Sequence, residues 1–195
     1  MKIYRKISVI FLALLLIDIC PAQAKTRSPE SMIVEADRAL EKDLNDAKAH
    51  YNRGTAHYNL GDYEAAVKDL TRAILLEPKA PDAYFNRGLS LRRQGNVREA
   101  LEDFSKAIEL TSTQAAYYFE RCNARIATSD LDGAVEDCSE AVRLSPKEAE
   151  GYFLRGLAHY LRGDLGAALA DCNKALEIQP KYADAVRLKE EISNK

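Results

Sequence analysis

The feature that constrains this chain most is a period of 34 residues. Written in rows of 34 from Ala47, residues 47–80, 81–114, 115–148 and 149–182 align without one insertion or deletion. Ala66, Ala100, Ala134 and Ala168 share row position 20, and Ala73, Ala107, Ala141 and Ala175 share position 27. Position 8 holds Gly54, Gly88, Cys122 and Gly156, and position 32 holds Pro78, Ser112, Pro146 and Pro180. A unit this short cannot bury its apolar face alone, so it must stack on its neighbours.

Each row reads as two helices and a tight turn. In the second row the first helix runs from about Pro81 to Arg93, with proline suited to the first helical turn. Gly95 ends it, and Asn96 stands where a side chain caps the next helix. Val97, Ala100, Leu101, Phe104, Ala107 and Ile108 then recur at spacings of three and four, the mark of an apolar helical stripe. Small residues at positions 8, 20 and 27 mark close approach of helix axes. Flanking segments supply the caps that an array needs: a helix from about Glu30 to Leu44 with Ile33, Ala36, Leu40 and Leu44 on one stripe, and another over 183–193 with Ala185, Leu188 and Ile192 inward.

These alanine, glycine, aromatic and proline positions resemble the tetratricopeptide repeat family over residues 47–182. The departures are His50 where Tyr84, Tyr118 and Tyr152 follow at position 4, and arginine at position 7. The resemblance implies an all-α, right-handed superhelical solenoid of four gapless helix-turn-helix repeats between N- and C-terminal capping helices (25–46 and 183–195). It also implies that the first helices line a concave groove through positions 2, 5, 6, 9, 12 and 13. Carried onto this chain, the partner-binding residues are Tyr51, Asn52 and Tyr58, then Phe85, Asn86, Leu89 and Arg92, then Phe119 and Asn123, then Phe153, Leu157 and Tyr160. Position 5 is aromatic four times, as a binding stripe or as packing between neighbours, and the groove becomes apolar toward the fourth repeat. Some relatives clamp the acidic C-terminus of cytosolic chaperones; Asn86 matches that pattern, whereas Tyr51, Thr55, Ala116 and Glu120 do not.

Residues 1–24 read as a secretory signal peptide. Lys2, Arg5 and Lys6 precede an apolar run from Ile7 to Ile19, and Ala22-Gln23-Ala24 supplies the cleavage pattern. That run, broken by Asp18, is shorter than the roughly 20 residues of a membrane span. The expected mature protein starts at Lys25, is periplasmic or secreted, and has no stable membrane span. It keeps Cys122, Cys138 and Cys172, an odd number that cannot pair completely and matches no zinc spacing. Cys122 and Cys138 belong to facing helices of one repeat, and counting thiols decides whether they are joined.

Net charge is −2, with no clustered basic face to attract a nucleic acid. His50, His57 and His159 lack the companions of a metal site, and no catalytic residue, metal or cofactor is assigned. Carboxylates are expected on solvent-facing helix positions, without the apolar enclosure that raises a pKa. Arg53, Arg87, Arg121 and Arg155 at position 7 recur with Asp69, Asp103, Asp137 and Asp171 at position 23, which predicts one ion pair per repeat. The expected function is an exported scaffold that holds a partner peptide or helix in the groove. A homo-oligomerising envelope assembly factor, built through the fourth-repeat surface, and a secretory-pathway co-chaperone are the alternatives.

Overall fold

The computed structural model describes residues 27–194 and contains ten helices and no strand among them. The segment read as a signal peptide lies outside the described residues. α1 spans Pro29–Leu40, and four helix pairs follow: α2 (Ala47–Asn59) with α3 (Tyr63–Leu76), α4 (Pro81–Arg93) with α5 (Val97–Leu110), α6 (Ala115–Ala127) with α7 (Leu131–Leu144), and α8 (Ala149–Arg162) with α9 (Leu165–Ile178). α10, Ala183–Ser193, closes the array. Among the described residues no helix is long and apolar enough to cross a membrane.

Every helix packs on the next. In addition, α2 approaches α4, α4 approaches α6, α6 approaches α8 and α8 approaches α10, whereas the backbones of the second helices of neighbouring pairs come nowhere as close to one another. The first helices are therefore the tighter, inner layer of a curved stack and the second helices its splayed outer layer. α1 occupies the place of a second helix one period before α3, and α10 that of a first helix one period after α8. Each end thus carries half a repeat, which covers the apolar face of the last complete pair.

Local chemistry sets the boundaries. Gly61, Gly95, Ser129 and Gly163 take the same place in the turns between paired helices, with φ of +81°, +87°, +64° and +98°. This is left-handed backbone that glycine adopts without steric cost. Asp62 and Asp130 then cap the following helices, accepting from the backbone N–H of Ala65 (3.1 Å) and Gly133 (3.2 Å). Asn96 sits at the equivalent position but does not cap; its amide donates to Gln94 instead, at 3.4 Å. α1 ends four residues short of Leu44, which is 76% exposed and leaves the predicted stripe.

The repeated alanines hold the layers together. Ala66, Ala100, Ala134 and Ala168 are completely buried, as are Ala107, Ala141 and Ala175, with Ala73 nearly so. Opposite them the position-8 glycines of the first two repeats, Gly54 and Gly88, admit a large neighbour, Leu70 and Phe104. A Cβ built on Gly88 would stand 2.7 Å from Cε1 of Phe104 and 3.2 Å from Cβ of Asp103. Gly88→Leu should therefore lower unfolding free energy by about 1–3 kcal/mol through overpacking, read by urea denaturation.

Candidate functional site

Position 7 arginines, sent inward from each first helix, meet position 23 aspartates from its paired helix. Arg53, Arg87, Arg121 and Arg155 each donate through Nε and Nη2 to both carboxylate oxygens of Asp69, Asp103, Asp137 and Asp171, at 2.6–2.9 Å. The four aspartates are buried. Nη1 of each arginine reaches back to the preceding outer helix, to Asp37 at 2.7 Å, Thr71 at 3.2 Å, Ser105 at 3.2 Å and Ser139 at 3.4 Å. These four acceptors are themselves spaced by the period, a signal the pairwise reading missed. Position 4 tyrosines lie beneath three of the guanidiniums: Tyr84, Tyr118 and Tyr152, with centroid distances of 5.7–5.9 Å. At that position His50 lies 3.2 Å from Asp69 and 3.1 Å from the carbonyl of Leu44. Burial pushes the Asp69 carboxyl up, but the hydrogen bonds from Arg53 and His50 outweigh it and leave it below its ordinary value. The ladder is an internal framework whose guanidiniums are committed to the chain.

With the arginines committed, the inner layer presents positions 5, 6, 9 and 12. Phe85 packs between Phe104 (5.8 Å) and Tyr117 (4.7 Å), and Phe119 lies on Gly151, where a Cβ would come within 2.6 Å of its ring. Both fill joints between repeats while keeping part of each ring accessible. Tyr51, Tyr58, Leu89 and Tyr160 are likewise half-buried. Asn86 donates to the hydroxyls of Tyr51 and Thr55, at 3.1 Å each. Tyr117 donates to Asp82, and Tyr160 to Glu191 at 2.6 Å. Asn52 and Asn123 are half-buried, and neither side chain makes a hydrogen bond within the described chain. The first, third and part of the second repeat therefore form a continuous inner surface of rings and amides.

The fourth repeat departs from the sequence reading. Phe153 and Leu157 are 5% and 1% exposed, enclosed with Leu154 by Ala185, Leu188 and Ile192 of α10. Phe153 stacks on Tyr182 at 5.2 Å. The apolar surface expected there is the seat of the terminal helix, and these two side chains belong to the core rather than to the groove.

A second correction concerns charge. Arg92 lies 3.0 Å from Glu120 across α4 and α6. Burial raises the Glu120 carboxyl, and Arg92 and Arg93 pull it back only in part. Burial, then repulsion from Glu120 and Glu148, pushes Glu150 up to about 7. Carboxyls with the enclosure expected nowhere in the chain thus stand on its inner layer. The third repeat also closes differently from the others, because Cys122 and Cys138 form a disulfide with Cα atoms 5.6 Å apart, while Cys172 stays free and buried.

Tetratricopeptide repeat family models match residues 35–75, 51–115 and 149–182. This chain is a tetratricopeptide repeat protein. Solved structures share this fold over half of the chain or more. YrrB, described as having an unusual peptide-binding site, is 23% identical, with a TM-score of 0.76 over 83% of this chain and 84% of its own. MamA from Desulfovibrio magneticus RS-1 is 24% identical, with a TM-score of 0.74 over 93% and 96%. The first tetratricopeptide domain of Spaghetti, bound to an HSP90 peptide, is 24% identical, with a TM-score of 0.57 over 58% and 90%. At these identities the likeness speaks for the fold.

Proposed function

We propose that this tetratricopeptide protein is an exported interaction scaffold whose concave groove holds an extended peptide or helix of a partner protein. One observation carries the reading: Asn52 and Asn123 are half-buried on the inner layer without a side-chain hydrogen bond among the described residues, on the same layer as the partly accessible rings of Phe85 and Phe119. Polar groups so placed satisfy themselves at low cost with a peptide backbone, and the rings supply apolar anchors. The description of YrrB and the peptide bound to Spaghetti support such use of the fold. The signal-peptide pattern of residues 1–24 and the Cys122–Cys138 disulfide both support export to an oxidising compartment. Self-association through the fourth repeat is disfavoured, because α10 occupies that surface.

Crosslinked capture from the envelope fraction of the source cell tests this, with the parent protein beside an Asn52→Ala, Asn123→Ala variant. Two lost hydrogen bonds at about 1 kcal/mol each predict roughly ten-fold or more weaker capture at unchanged thermal stability. Equal capture by both would move the site out of the groove. N-terminal sequencing of this protein, purified from the same fraction, should begin at Lys25; a start at Met1 would contradict export by cleavage.

A further inference from the structure

Most acidic side chains on and around the inner layer are answered by the chain. Tyr117 donates to Asp82, Arg92 pairs with Glu120, and Tyr160 donates to Glu191. Glu150, in the first turn of α8, has no hydrogen bond or ion pair among the described residues, although it is half-buried. The groups that face it are Glu120 from α6, Glu148 from the turn before α8, Arg92 from α4 and Tyr182 from the segment before α10. Arg92, the only cation among them, is already held on Glu120 at 3.0 Å. Apolar surface is close by: Phe119 packs on the adjacent Gly151, and Tyr182 packs on Phe153.

We propose that Glu150 receives a basic side chain of the partner, a lysine or arginine flanked by large apolar residues, whose cation pairs with the carboxylate while its methylenes and neighbours lie on Phe119 and Tyr182. The proposal rests on the groove-docking reading and names the chemistry of the segment that docks. Charge complementarity decides its sign. An acidic segment would face Glu120, Glu148 and Glu150, with Arg92 already engaged on Glu120 and Arg93 drawn to the same carboxyl. A cation instead meets Glu150, the half-buried carboxyl of this group that has no hydrogen bond or ion pair among the described residues. Because burial and the neighbouring Glu120 and Glu148 keep the Glu150 proton up to about pH 7, a bound cation displaces that proton near neutrality. Affinity should then rise roughly ten-fold from pH 6 to pH 8, as the free carboxyl ionises.

A phage-displayed random dodecapeptide library, panned on the immobilised protein, supplies the probe. Selected peptides should be enriched in lysine or arginine beside leucine, phenylalanine or tyrosine. A synthetic copy of one should bind Glu150→Gln at least ten-fold more weakly by fluorescence anisotropy, and its pH dependence should vanish there. Circular dichroism would confirm that the variant is folded. Asn123→Ala should weaken the same peptide yet keep the pH dependence. Peptides that need Asn123 but carry no basic residue, or bind Glu150→Gln equally, would overturn the basic partner and leave groove docking standing. Selection of nothing, or of peptides indifferent to both residues, would overturn both.

Discussion

Asp103→Ala should lower unfolding free energy by about 3–5 kcal/mol, the cost of leaving a buried charge without its partner. Asp103 is 4% exposed and accepts both arms of the Arg87 fork, at 2.8 and 2.7 Å. The third nitrogen of Arg87 is taken by Thr71, and its plane lies over Tyr84. The guanidinium reaches water only in part, its side chain being 22% exposed, and its truncated partner would leave two donors without their carboxylate. Replacing both members by apolar residues of similar size, Arg87→Met with Asp103→Leu, should recover much of the loss, because the desolvation cost disappears with the charges. Urea denaturation of the two single variants and the double variant reads this directly. A loss below about 1 kcal/mol in Asp103→Ala would mean that the pair behaves as an exposed one.

Breaking the Cys122–Cys138 disulfide should cost about 3 kcal/mol. The two cysteines are 16 residues apart, and a closed loop near that length restrains the unfolded chain by roughly that amount. The packing explains why the bridge stands in the third repeat. In the second, Phe104 fills the space over Gly88; in the first, Leu70 lies over Gly54, where a Cβ would come within 2.8 Å of it. Cys138 replaces the large residue and Cys122 the glycine, so two small side chains joined covalently take the volume of one large one. Cys122→Ala with Cys138→Ala should lose the full amount in thermal or urea unfolding. Cys122→Gly with Cys138→Leu, which copies the first repeat, should lose less. Unfolded without reductant, the protein from Lys25 onward should titrate one thiol, Cys172; three would contradict the bridge. In the folded protein, burial and then Asp171 push the Cys172 thiol up to about 11, which keeps it protonated and unreactive.

The repeat was legible because its constraints are steric and recur at fixed offsets. Alanine at positions 20 and 27 admits only close helix packing, and arginine at position 7 repeated with aspartate at position 23 announces a pair. What escaped depended on geometry between repeats. Whether Phe119 faces solvent or a joint depends on Gly151, one repeat away, and Phe153 is buried because α10 swings across it. Glu150 looked like any helix-surface carboxylate, since its enclosure comes from Glu120 and Tyr182, distant in sequence. Asn96 had the right type for a cap and the right place, yet its side chain turned to Gln94. Positional identity fixes a scaffold well; the state of an individual groove side chain depends on neighbours one and two repeats away.

The central claim is that partners dock on the inner layer of first helices. A photocrosslinking amino acid placed at Asn123, on that layer, and separately at Glu136, exposed on the outer helix α7, tests it in the source cell. The account predicts a partner crosslinked from position 123 and none from position 136. A partner caught from position 136 alone would place the binding surface on the convex side and contradict it.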